Sequence, residues 1–443
     1  MNASLRSAAS PAEILQRLIR FDTTNPPGRE RPCIAYIAEL LAATGVPATW
    51  LAVDPERPNL VARFTGEGTA PPLLLYGHVD VVTTAEQVWQ HPPFEGLIAD
   101  GYLWGRGALD MKGGIAMMLA ALLRLVADGA RPAGDVLLAI LSDEEGAGTH
   151  GAKHVVEQHA MLLANVRHAI GEFGGFSLTF KGRRFYPVMV AEKQTCCLRT
   201  VLRGPGGHGS LPFRGTAMGR LGRVLTAVDS WRLPVHIHPV VAHFITELSG
   251  ALPPVPRWLL RRLLNPVWTD RVLDLLGENG RLFDPMLRDT VAATVVRGGH
   301  KLNVIPSEIE LELDGRLLPG HLPEDLLRPL RTLAGPGAEI TVTRYDPGPS
   351  TFDLSLYADL AAVLRECDGE GIPVPFLLTG TTDARFFHRL GIQTYGFLPM
   401  KLPPEFNFIG TIHAADERVP VSALEFGTDA LGRFLRRYGR PAA

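Results

Sequence analysis

Hydrophobic and polar residues alternate along this chain with two different periods. Ile14, Leu15, Leu18, Ile19 and Phe21 recur at helical spacing behind Ser10, a capping residue, and Pro11 in the first turn, which predicts an amphipathic helix. Short apolar runs at 59–64, 73–80, 135–143 and 168–173 predict strands, and helical spacing at 29–44, 113–128 and 150–164 fills the gaps between them. Strand and helix in alternation predict an α/β sheet with helices on its faces, and ligands of such sheets gather beyond the carboxyl ends of the strands.

From about residue 193 the order changes. Strands are expected at 195–204, 290–299, 307–316 and 338–345, with helices near 215–230 and at 323–334. In 307–316, Glu308, Glu310, Glu312 and Asp314 alternate with Ile309, Leu311 and Leu313, so one face is wet and the other buried. The order βαββαβ is that of a small two-layer module, carrying a helical insertion between about 232 and 289. The α/β pattern then resumes, with helices at 354–366 and 383–390 and strands near 374–378 and 392–397. The expected organisation is one α/β domain, 1–192 and 348–443, interrupted by the module at 193–347.

Composition narrows the class. With 443 residues, 46% hydrophobic and 20% charged, the chain can bury a sizeable core. A net charge of −2 and the lack of a Lys/Arg block give no basis for a nucleic-acid partner. The longest apolar stretch, 115–123, is too short to span a bilayer, so no membrane partner is expected. Cys33, Cys196, Cys197 and Cys367 form no disulfide framework, and residues 1–21 lack a continuous apolar leader core. A reducing, cytoplasmic setting is expected.

The chemistry lies at the strand ends. "LLLYGHVDVV" ends with His78 and Asp80, "WGRGALDMKGG" presents Asp110, "AILSDEEGAG" presents Glu144 and Glu145, "HAIGEFGG" presents Glu172, and "FIGTIHAADERVP" places His413 before the last helix. Adjacent carboxylates repel and resist burial, so an arrangement this acidic needs a counter-charge. Two imidazoles with several carboxylates and no thiolate suit Zn²⁺, and also Co²⁺ or Mn²⁺. A pair of ions needs a bridging carboxylate. Asp110 is the natural bridge, with His78 and Glu172 completing one ion and Glu145 and His413 the other. Asp80, two residues beyond His78, is expected to orient its imidazole. Glu144 is then left over and is expected to act as general base. A nucleotide-binding oxidoreductase is disfavoured, because Asp110 stands where a GxGxxG fingerprint needs its third glycine.

These segments, together with "GPGGHGS", "KLNVIP" and "TGTTDARFF", resemble the M20 family of metallopeptidases and amidohydrolases from about residue 20 to 420. Its members include carboxypeptidase G2-like, succinyl-diaminopimelate desuccinylase-like, aminoacylase and carnosinase-like enzymes. The resemblance implies a zinc-exopeptidase-like α/β catalytic domain with helices on both sheet faces, interrupted by a ferredoxin-like lid that also makes a homodimer. It implies two Zn²⁺ per chain on His78, Asp110, Glu145, Glu172 and His413, with Glu144 as the base and a cis peptide after Asp110. From the lid, His208 resembles an oxyanion-stabilising histidine that reaches the partner subunit's site. Asn303 and Arg316 resemble residues that hold the substrate carboxylate, and Gly380, Thr381 and Thr382 a loop lining the pocket. The expected substrate is a small peptide or N-acyl amino acid. "HPPFEGLIADGYLWGRGALDMKGG" looks nearer the carboxypeptidase and carnosinase-like members than the deacylases.

Overall fold

A computed structural model of the chain describes residues 10–349 and 351–440; the expectation for the first nine residues lies outside them. The chain divides into two compact units. The larger comprises residues up to Val190, Phe352–Phe376 and the stretch from Thr382 onward; the smaller comprises Ala191–Thr351 and Leu377–Thr381.

The larger unit is organised by a mixed sheet. Its strands run in the order Ala48–Leu51, Asn59–Phe64, Val136–Leu141, Leu73–His78, His168–Gly171, Gln393–Gly396, Arg183–Glu192 and Ile372–Leu378. Leu73–His78 pairs in parallel with both Val136–Leu141 and His168–Gly171, and Gln393–Gly396 pairs in parallel with His168–Gly171. Leu73–His78 and Val136–Leu141 are buried at every position, as parallel strands covered on both faces must be. The helix Lys112–Ala127 packs on Leu73–His78 and against the helices Pro11–Ile19 and Val421–Arg437. Thirteen of its sixteen residues are buried, so it is a core helix rather than an amphipathic surface one.

Several expected elements end sooner than their periodicity suggested. The helix expected over 150–164 breaks at His159 into Ala152–Gln158 and a 3₁₀ turn at Ala160–Leu163. The ten-residue strand Arg183–Glu192 is absent from the expected elements, because its buried half is apolar without a break and has no period to read.

In the smaller unit, four antiparallel strands run in the order Thr290–Arg297, Glu308–Leu317, Gln194–Arg203 and Ala338–Asp346. The helices Ala217–Ser230 and Pro323–Ala334 cover one face, burying Leu198, Leu202, Leu221, Val224, Ile309, Leu311, Leu313 and Leu326. On the other face Glu308, Glu310 and Glu312 pair with Arg203, Arg199 and Arg297. Helices Pro239–Gly250, Pro254–Arg261 and Pro266–Leu276 form the insertion. All four cysteines are free. No helix among the described residues is long and apolar enough to cross a membrane.

Candidate metal centre

The parallel strands of the larger unit deliver their carboxyl ends to one place. His78 is the last residue of its strand, Glu172 follows His168–Gly171, and the acidic turn of residues 143–145 follows Val136–Leu141. Asp110 precedes the core helix Lys112–Ala127, and its peptide bond to Met111 is cis, as the resemblance implied. Gly113 stands at the start of this helix because a Cβ there would sit 2.1 Å from the carbonyl oxygen of Ala108.

Two groups of side chains converge, and they share Asp110. His78, Asp110 and Glu172 form one and Asp110, Glu145 and His413 the other, with donor atoms within 4.8 Å of one another in each. His78 Nε2 lies 3.2 Å from Asp110 Oδ1 and 3.4 Å from Glu172 Oε2. His413 Nε2 lies 3.1 Å from both Asp110 Oδ2 and Glu145 Oε1. Donors bonded at about 2.0–2.1 Å around a tetrahedral ion stand about 3.3 Å apart, so these spacings are compatible with a shared coordination shell.

The hydrogen bonding of His78 tests the fit. Its Nδ1 lies 3.0 Å from the backbone carbonyl oxygen of Asp80, which fixes the proton on Nδ1 and leaves a lone pair on Nε2. That buried Nε2 makes no hydrogen bond of ordinary geometry, yet faces two carboxylates. A lone pair and two anions repel unless positive charge lies between them, and a divalent cation there would supply it.

The charged groups of the centre perturb one another strongly. Burial alone would lower the His78 imidazole, but the charge of Glu172 and the carboxylate of Asp110 outweigh it and hold the ring well above its usual range. Hydrogen bonds donated to the Asp110 and Glu145 carboxylates raise His413 to about 10. Burial pushes Glu145 up to about 7 and Glu172 well above the usual carboxylate range. Asp110 moves the other way: His413 and His78 overcome its burial and hold it low.

The three consecutive acids have separate surroundings. Asp143, at φ 67°, turns away from the centre and accepts from Asn25 Nδ2 at 3.1 Å, Thr149 Oγ1 at 3.1 Å and the His150 N–H at 3.1 Å, with Arg57 at 3.2 Å. Glu145 belongs to the second group. Glu144 belongs to neither; its Oε1 is 3.5 Å from Arg385 Nη1, and burial raises its carboxyl above the usual range. Asp80 ties the turn to the histidine strand, accepting the N–H of Glu144 and of Glu145 at 3.1 Å each and Asn25 Nδ2 at 2.9 Å.

A second support lies under Asp110 and His413. Arg106 and Glu417 are buried and paired at 2.6 Å. Glu417 Oε1 accepts the N–H of Leu109 at 2.8 Å and of Asp110 at 3.1 Å, while Arg106 Nη2 donates to the His413 carbonyl at 3.2 Å. His413 itself has φ 61°, a conformation that costs free energy and needs such anchoring. Sequence reasoning passed over Arg106, Glu417, Arg385 and Asn25. Arg106 and Glu417 lie within "GRGALD" and "HAADERVP", where a charged residue four places from Asp110 or His413 was the available signal.

The remaining site candidates fall outside these groups. His208 is exposed, its Nδ1 2.7 Å from Ser210 Oγ, and Asn303 is exposed, its carbonyl accepting the Gly209 N–H at 2.8 Å. Arg316 holds Asp314 with Nε and Nη2 at 2.8 and 3.1 Å, and its Nη1 donates to Thr195 Oγ1 at 3.2 Å and Thr381 Oγ1 at 3.1 Å. Arg316 and Thr381 therefore meet within the smaller unit. Gly380 is half-buried; Thr382 is buried and its hydroxyl accepts the Ala384 N–H at 3.1 Å.

Comparison with known proteins adds an independent line. Residues 74–437 match the profile of peptidase family M20/M25/M40. Succinyl-diaminopimelate desuccinylase of Paracoccus denitrificans is 31% identical over 442 residues, covering 97% of this chain and 98% of that protein. The N-fatty-acyl-amino acid synthase/hydrolase PM20D1 of Homo sapiens is 29% identical over 380 residues, covering 82% of this chain and 74% of that protein. Among solved structures, the M20 family metallo-carboxypeptidase Sso-CP2 from Sulfolobus solfataricus superposes with a TM-score of 0.71 at 17% identity, covering 99% of this chain and 100% of that one.

Proposed function

The chain belongs to peptidase family M20/M25/M40 and is a hydrolase of that family, and from this premise we propose that it cleaves an amide bond next to a free carboxylate with two metal ions bound. The observation that carries the reading is the pair of donor groups joined through Asp110, with the lone pair of His78 Nε2 aimed at two carboxylates. His78, Asp110 and Glu172 would hold one ion and Asp110, Glu145 and His413 the other, with Zn²⁺, Co²⁺ or Mn²⁺ suiting the donors. When bound, such a pair polarises the substrate carbonyl and acidifies water.

Glu144 is the base. It stands beside a ligand without joining either group, and its raised carboxyl lies nearer neutrality, where a group can both accept and return a proton. It takes a proton from the attacking water and delivers it to the departing nitrogen. Asp80 keeps His78 in one tautomer and fixes the backbone from which Glu144 and Glu145 project. Arg316 and Asn303, in the smaller unit, would grip the substrate carboxylate, Gly380, Thr381 and Thr382 would line its pocket, and His208 from a second copy in a homodimer would stabilise the oxyanion. The Nη1 edge of Arg316, turned to Thr195 and Thr381, is the part not engaged by Asp314.

The products would be an amino acid and either a shortened peptide or a free acyl group. The carboxypeptidase or dipeptidase reading has the support of the "HPPFEGLIADGYLWGRGALDMKGG" segment. N-acyl amino acid deacylation has a specific observation in its favour, the names of the desuccinylase and fatty-acyl-amino acid relatives. A hydrolysis panel of dipeptides and N-acyl amino acids with Zn²⁺, Co²⁺ and Mn²⁺ separates the two. Glu144→Gln should retain two metals per chain and lose about 10²–10⁴-fold in turnover; a metal-loaded variant at parental rate would refute the base assignment.

A further inference from the structure

The helical insertion of the smaller unit carries an exposed surface that the hydrolase reading leaves unused. Val255 and Trp258 on the helix Pro254–Arg261 are 77% and 57% exposed, and Val267 and Trp268 on the helix Pro266–Leu276 are 78% and 41% exposed. Arginine joins these two ridges. The Arg262 guanidinium lies 5.0 Å from the Trp258 ring centre and 5.6 Å from that of Trp268, and Arg271 lies 5.5 Å from Trp268. Arg257 and Arg261 flank them, donating only to the carbonyls of Gly250 and Leu252 and to Ser249 Oγ. Among the described residues none of these four arginines is paired with a carboxylate. The nearby acids are taken elsewhere: Asp270 and Asp274 by Arg232 and Arg288, and Glu278 by Arg281.

We propose that this face binds the surface of an anionic lipid membrane. Indole rings and branched aliphatic tips gain by leaving water for the headgroup boundary, and guanidinium groups gain beside lipid phosphate. The surface offers both together, in a chain whose overall net charge is −2, so the positive charge is local to the patch. A second copy of the chain fits less well, because a two-fold contact would set the unneutralised arginines against their own kind. The proposal adds a surface association to a chain for which the sequence suggested no membrane partner, and it requires no spanning helix.

The test is flotation of the full-length, metal-loaded protein with vesicles of phosphatidylcholine alone or with about one-third phosphatidylglycerol. Binding is expected only to the anionic vesicles, weakening as salt rises. Each arginine near such a surface is worth about a fivefold change in partitioning. R262Q/R271Q should therefore lose about 25-fold in binding, and W258A/W268A at least tenfold, both with unchanged hydrolysis of a soluble substrate and unchanged metal content. No binding to anionic vesicles, or binding that both double variants leave intact, overturns the proposal. So does a concentration-dependent dimer that W258A/W268A abolishes in protein that ignores vesicles.

Discussion

Glu417→Gln is the substitution that most directly probes how the centre is held. Glu417 is fully buried, with Oε2 2.6 Å from Arg106 Nη1 and Oε1 accepting two backbone N–H groups. Glutamine keeps the volume and removes the charge, leaving the buried Arg106 uncompensated; losing one partner of such a pair costs about 3–5 kcal/mol. The amide must also turn its NH₂ either toward Arg106 or toward the N–H groups of Leu109 and Asp110, so donors face donors in both orientations. At about 2–4 °C per kcal/mol, thermal unfolding of the metal-free protein should fall by roughly 6–20 °C. The same change frees the backbone under Asp110 and loosens the Arg106 contact to the His413 carbonyl, so metal affinity should fall about 10–100-fold. Differential scanning fluorimetry and metal titration read the two effects. A double variant, Arg106→Met with Glu417→Gln, should regain much of the stability but not the metal affinity, since the charge is gone while the support for Asp110 is still missing. An E417Q protein that melts within about 2 °C of the parent and binds metal equally well would refute the reasoning.

Three further outcomes follow. Asp80→Ala removes the acceptor for Glu144 N–H, Glu145 N–H and Asn25, and metal affinity should drop about 10–100-fold, read by competition with a chromogenic chelator. Glu145 and His413 have folded pKa values raised to about 7 and about 10, so the stability they lend the metal-free protein is full at acid pH and is lost as pH rises through those values. The melting temperature of the chelated protein should accordingly fall from about pH 5 to pH 10, the metal-loaded protein should lack this slope, and metal affinity should climb over the same range as protons cease to compete. Gly171→Ala would place a Cβ 2.1 Å from the Tyr76 ring and should destabilise by about 1–3 kcal/mol in a denaturation series.

Strand-end chemistry was legible because the parallel strands are short, apolar and followed at once by their functional residues. His78, Glu172 and Glu145 could be placed at a common edge from the alternation of elements alone, and the structure brings them together with Asp110 and His413 in two groups. Arg106 and Glu417 were hidden, since a partnership spanning 311 positions leaves no trace in local spacing. The separate anchoring of Asp143, the first acid of the DEE triplet, was hidden too. Which carboxylate faces inward depends on the left-handed backbone at Asp143 and on the reach of Asn25 and Arg57, neither of which periodicity reports. In the smaller unit the strict alternation of 308–314 predicted its two faces, and the burial pattern follows it residue by residue.

Asp110 belongs to both donor groups through different oxygens. Filling one position would pin the carboxylate that the other must use and so couple the two occupancies. A metal titration should depart from a two-equal-sites isotherm, and replacing Asp110 should abolish both binding events at once rather than halving the stoichiometry.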